Sequence, residues 1–219
     1  GFRAPQTGEL YRLQDVQNVT SIDSEVLNSL EIGFRGGDAR FSFDVSTFLM
    51  RKDNFIFRDT NRLNVDNGKT SHRGIEVSLA HDLGDDLRAR LNWTYAIHRY
   101  ENNPLLSTSA IEGNDMDTAP RQFGGGQIEW RASARWHAEL EWVHMGRYFE
   151  DAENEHPYEG HDLFNLRVKG ELNPRLTTFV RITNLFDARY AERADYAQGM
   201  DRYFVGEPRA LYVGLSADL

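Results

Sequence analysis

From Leu87 to Tyr100 the chain reads LRARLNWTYAIHRY, with an apolar or small residue at every second position from Leu87 through Ile97. The positions between carry Arg88, Arg90, Asn92, Thr94, Ala96 and His98. A period of two is the signature of a β-strand with two unlike faces. The same pattern recurs near 28–36, 41–50, 73–82, 122–132, 136–148, 162–171, 176–186 and 209–219. One parity in each run carries the apolar side chains, as in Phe41, Phe43 and Val45, in Ile75, Val77 and Leu79, and in Leu211, Val213 and Leu215. Nine strands and no convincing helix are predicted.

The connections add topology. Short gaps at 36–39, 83–86, 133–135 and 172–175 alternate with long ones at 51–72, 101–121, 149–161 and 187–208. Strict alternation predicts an antiparallel up-and-down order with every long loop at one end, the habit of barrels that cross an outer membrane. The non-apolar parity holds Arg88, Arg90, Glu129, Arg131, Glu139, Glu141, Arg167, Lys169 and Arg181, suited to a wet lumen. The apolar parity places Trp93, Tyr95, Trp130 and Trp142 near strand ends, where an interfacial aromatic girdle would sit. The fold class predicted is therefore all-β, an antiparallel up-and-down transmembrane β-barrel. A soluble all-β ligand-binding module with one solvated face is the alternative that pattern alone leaves open.

Composition changes this picture in three places. No run of 18 or more apolar residues exists in the 219, which excludes a membrane-spanning helix and leaves spanning strands untouched. The formal charge of -9 argues against a nucleic-acid partner. There is no cysteine, hence no disulfide framework or thiolate chemistry. The opening GFRAPQTGELY has neither an initiating Met nor a leader pattern, so the sequence is read as a piece of a longer protein.

Chemistry-bearing motifs are few. His144, His156 and His161 lie among Glu150, Asp151, Glu153, Glu155, Glu159 and Asp162, but without metal-ligand spacing, and a solvated loop tip is expected. Gly124-Gly125-Gly126 lacks the Lys and helix of a phosphate loop and is expected to ease a close approach or bulge. Glu139 and Glu141 share a strand face and are expected to pair with Arg131 and Arg167 across strands. No catalytic constellation is found, so no enzyme activity, metal or cofactor is predicted.

Several stretches resemble the TonB-dependent outer-membrane receptors. Gly1-Phe2-Arg3-Ala4-Pro5 with Glu9-Leu10-Tyr11 resembles that family's "FRAP…ELY" segment. Asn67-Gly68 with Arg73-Gly74-Ile75-Glu76 and Ala119-Pro120-Arg121 are similar to two further elements. Asn184-Leu185-Phe186-Asp187, Tyr190 and Gly206-Glu207-Pro208-Arg209 match its closing pattern in order and spacing. One departure is the last residue, Leu219, where the family usually has an aromatic.

The resemblance implies that residues 1–219 are the C-terminal portion, the last nine or so strands, of a plugged barrel of roughly 22 strands. It implies a Gram-negative type outer membrane, uptake of a scarce solute such as a ferric siderophore, and energy from the TonB complex acting through a plug domain outside this sequence. Outer-membrane lipid would surround the barrel, and the long gaps, with 12–27, would be extracellular. The family holds ferric chelates with aromatic and basic groups near the mouth, which makes His98, Tyr100, Arg147, Tyr148 and Tyr158 the candidate ligand contacts.

Overall fold

A computed structural model describes residues 1–10, 22–58, 64–104 and 110–217. In chain order the elements are β1 (Phe2–Arg3), α1 (Thr7–Leu10), β2 (Glu25–Gly37), β3 (Phe41–Arg58), β4 (Asn64–Asp82), β5 (Leu87–Tyr100), β6 (Gln122–Ser133) and β7 (Trp136–Met145). They continue as β8 (Tyr148–Phe149), β9 (Pro157–Tyr158), β10 (His161–Asn173), β11 (Leu176–Thr183), β12 (Ala191–Ala197), β13 (Met200–Val205) and β14 (Ala210–Ala217). Ten of these form one antiparallel sheet in the order β1-β2-β3-β4-β5-β6-β7-β10-β11-β14. β8–β9 and β12–β13 are separate hairpins inside two of the long connections.

All nine predicted runs are strands, joined by a two-residue β1 and a single helical turn. The sheet ends at β1 and β14, which are not paired with each other, so the barrel wall is open among the described residues. The sequence places a loop at 51–72, whereas β3 continues to Arg58 and β4 starts at Asn64. The reason is a pair of register shifts between Lys52 and Phe57, beside Asn54 and Asn67 in the left-handed region at φ 56. A bulge reverses parity, so a strand that crosses one loses its period-two signal while keeping its ladder.

The two faces differ as the pattern requires. On the ionic face, Arg167 Nη1 lies 2.6 Å from Glu139 and Nη2 3.5 Å from Glu141, and Arg90 lies 2.6 Å from Glu129. Arg131 stands opposite His137 in the ladder. On the apolar face, Trp93 pairs with Gly124 and Trp142 with Gly126, and the two indoles stack at 5.7 Å. A Cβ on Gly124 would fall 2.3 Å from the Asn92 carbonyl oxygen, so the glycine run permits the close approach expected of it.

Among the described residues no dry centre forms between the strands. Val213 is 65 % exposed and Leu140 38 %, where a soluble module would bury them together. Apart from Phe48 and Ala96, which pack over Gly74 within the sheet, the buried apolar residues lie instead toward the long-loop end. Tyr100, Ile111 and Ala152 form one cluster with Phe55, Phe57 and Met116 packed on it. Tyr148, Ala191 and Ala194 form another, bordered by Met145 and Tyr158. Burying such side chains contributes roughly 1.5–3 kcal/mol each, so the loops carry a core of their own.

Candidate functional site

The long connections interlock rather than stand apart. Asn154 Nδ2 donates to the Asp115 carbonyl at 2.8 Å, and the Asp115 amide donates back to Asn154 Oδ1 at 2.9 Å. Asn114 reaches the Ala152 carbonyl, the Thr118 amide donates to Phe149 O, and the Tyr196 amide donates to Glu150 O. Three connections, those after β5, β7 and β11, thus share one network of backbone and asparagine side-chain hydrogen bonds.

The candidate residues take different places in this cap. Tyr100 is 2 % exposed and donates its hydroxyl to Asp117 at 2.6 Å. Tyr148 is buried, and its hydroxyl oxygen accepts from the Ala194 amide at 2.8 Å. The Tyr158 hydroxyl accepts from the Ala191 amide at 3.0 Å and meets His161 Nδ1 at 2.8 Å. His98 meets His72 across the ladder, Nδ1 to Nδ1 at 2.8 Å. Arg147 alone of the five is exposed; its guanidinium lies over the Phe149 ring at 5.4 Å and 3.7 Å from Glu159. The Tyr148 and Tyr158 rings meet at 5.1 Å, tilted by 45°, beside it, whereas His98 and Tyr100 sit at the end of β5.

The acidic stretch expected to be a solvated tip is so at Glu155, Glu159 and Asp162, which are exposed, but not at its start. Glu150 and Asp151 are buried, because Asp151 accepts the amides of Glu155 and His156 and so ties the turn together. Burial pushes the Glu150 carboxyl up, with Asp201 and Asp195 adding to the shift against Tyr203 and His156. Burial likewise raises Asp117 against the hydrogen bond from Tyr100, and Asp151 and Glu153 add smaller upward contributions. No group of three metal-ligating side chains occurs among the described residues.

Two features are tied to short motifs. Arg3 forks between Glu25 and Glu9, with Nε 2.8 Å from Glu25 and Nη1 3.0 Å from Glu9, so the FRAP arginine and the Glu of ELY are one contact. At the other end, Asn184 adopts φ 49, donates to the carbonyls of Ala188 and Glu207, and accepts the Ala188 amide. Asp187 accepts the Arg209 amide at 3.0 Å, and the Tyr190 ring covers Gly206 so closely that a Cβ there would fall 2.2 Å away. The local signal in the sequence is two Asx residues three apart, Asn184 and Asp187, both of which adopt the left-handed region here.

Comparison with known proteins agrees with this geometry. Residues 1–185 match the family described as TonB dependent receptor-like, beta-barrel. No curated protein matches the chain. Among solved structures, the ferric yersiniabactin uptake receptor of Yersinia pestis superposes with a TM-score of 0.77 at 18 % identity, over 90 % of this chain and 30 % of that one. An unliganded ferric citrate transporter gives 0.75 at 22 %, over 89 % and 31 %. A copper transporter gives 0.74 at 14 %, over 99 % and 36 %. The chain therefore spans about a third of the length of these neighbours.

Proposed function

The chain belongs to the TonB-dependent receptor β-barrels of the Gram-negative outer membrane, and from that membership we propose that it is the C-terminal portion of a receptor importing a ferric siderophore or similar iron chelate. The observation that carries this reading is the two-faced sheet capped by interlocked long connections. In a bilayer the apolar face meets lipid and the ionic face lines a watery interior. Siderophore and ferric citrate receptors among the structural neighbours support the solute class.

In this reading the cap residues divide the work. Arg147 contacts the anionic chelate, because its charge is offered to solvent and a guanidinium binds oxyanions in a fork. Tyr100, Tyr148 and Tyr158 hold the loops that present it, while His98 lines the mouth beside His72. The ionic wall near the short turns, including Arg88, Glu129, Glu139 and Arg167, faces the plug through which TonB supplies energy. The test is uptake of a panel of radiolabelled ferric chelates by cells carrying or lacking the complete receptor, with and without a working TonB system. TonB-dependent uptake of one chelate is expected. Uptake of none, or uptake indifferent to TonB, overturns the proposal.

A further inference from the structure

The outward apolar run of each strand from β3 to β5 stops at an arginine, and on β2 the same position is Asn28, opposite Arg51. On β3 the run is Phe41, Phe43, Val45 and Leu49, then Arg51; on β4 Leu79, Val77 and Ile75, then Arg73; on β5 Leu87 through Ile97, then Arg99. Ten steps along β5 from Leu87 to Ile97 cover about 34 Å of strand, which a tilt near 40° reduces to about 25 Å of height, the thickness of the lipid-facing band. Arg51 and Arg99 therefore stand where the outer leaflet's headgroups begin, and Arg73 lies one step lower, opposite Leu49 and Ile97 in the ladder.

Register brings them together. Arg51, Ser71 and Arg99 are directly opposed across β3, β4 and β5, and Arg73 is two residues along β4 from Ser71. Arg73 is thus the diagonal neighbour of both Arg51 and Arg99, about 7–8 Å between backbones, within reach of one tetrahedral anion. A concavity at this point is lined by the three arginines together with Leu30, Leu49 and Ile97.

Charge in the concavity is unbalanced. Arg51 and Arg73 are exposed and in no ion pair among the described residues. Arg99 lies 3.6 Å from Asp115, but that carboxylate is held by Arg121 at 2.7 Å, and Arg99 Nε is buried without a hydrogen-bond partner. Glu101 is the acid lining the concavity and accepts from Ser71. Asp53 lies one outward step beyond Arg51 and does not line it. Guanidinium groups this close repel unless an anion sits among them.

We infer that Arg51, Arg73 and Arg99 bind the phosphate of an outer-leaflet glycolipid whose acyl chains lie against Leu30, Leu49 and Ile97. This rests on the reading that the apolar face meets lipid. Fixed cations directly above an apolar surface match an amphiphile with phosphate above its chains, which free phosphate would use only in part.

The experiment takes the complete receptor in detergent and measures, by native mass spectrometry, its affinity for diphosphorylated lipid A and for the same lipid stripped of phosphate. The combined Arg51→Gln, Arg73→Gln, Arg99→Gln variant is expected to weaken the diphosphorylated lipid at least about tenfold and to leave the stripped lipid unchanged. Equal affinity for the two lipids in the native receptor, or displacement by inorganic phosphate at the lipid's own concentration, overturns the inference. So does a matched loss in the Arg88→Gln, Arg181→Gln control on the ionic face. If the triple variant lacks heat-modifiable mobility, Arg73→Gln alone is read, with a loss of about threefold expected and no loss overturning. Quenching of Trp93 and Trp142 by brominated acyl chains is read in parallel. Its absence refutes the orientation itself, whereas quenching without phosphate discrimination refutes only the lipid site.

Discussion

Arg3 and Glu25, 22 residues apart in sequence, meet through two hydrogen bonds of 2.8 Å, and Glu25 turns its carboxylate further to the Ile56 amide at 3.0 Å. One carboxylate thereby joins β1, β2 and the extended end of β3. Replacing Arg3 with Ala leaves a buried carboxylate without its main partner and costs about 2 kcal/mol; Arg3→Lys keeps the charge but not the fork and costs less. Thermal loss of heat-modifiable mobility in the complete receptor measures both.

The closing latch should be sensitive to a single methyl. Gly206→Ala forces the Tyr190 ring aside and costs about 1–3 kcal/mol. Asn184→Ala orphans the Ala188 and Glu207 carbonyls and is expected to act in the same direction. Limited proteolysis should then cut within 187–208 while the sheet strands stay protected.

The cap should tighten as pH falls. Burial, with Asp151 and Glu153, holds the Asp117 proton more firmly in the folded cap than in the unfolded chain. Folding therefore takes up a proton between the two values, so this contribution is present at low pH and is lost as pH rises through the raised value. Amide exchange over 110–118, corrected for intrinsic rate, should be slower at about pH 5 than at about pH 8. Tyr100→Phe removes the hydrogen bond that favours the ionised form and should shift the transition to higher pH.

Arg147→Ala should weaken binding of the transported chelate about tenfold, close to 1.4 kcal/mol. Arg181→Gln, on the ionic face near the short turns, should leave it unchanged. Calorimetric titration of the complete receptor with the chelate separates the two.

Much of this was legible in the chain because a strand with unlike faces writes its environment at every second residue. Ile128, Leu140, Leu166 and Ile182 stand opposite one another in the ladder just as their parity predicts. The Glu139–Arg167 pair was readable for the same reason. Parity failed where Asn54 and Asn67 turn left-handed, because a bulge swaps faces without breaking the strand. Burial of Glu150 and Asp151 was unreadable, since it arises from contacts among connections far apart in sequence. Likewise, nothing local to Tyr100 or Tyr148 tells that their hydroxyls are spent on Asp117 and Ala194.

The central claim is that even-numbered positions of β7 meet lipid and odd-numbered ones meet water. The chain contains no cysteine, so single cysteines at 138, 139, 140, 141 and 142 of the reconstituted receptor can each carry a nitroxide. Collision with oxygen should be high at 138, 140 and 142, and collision with a water-soluble nickel chelate high at 139 and 141. The opposite phase, or low access to both reagents at 140 and 142, would contradict the account.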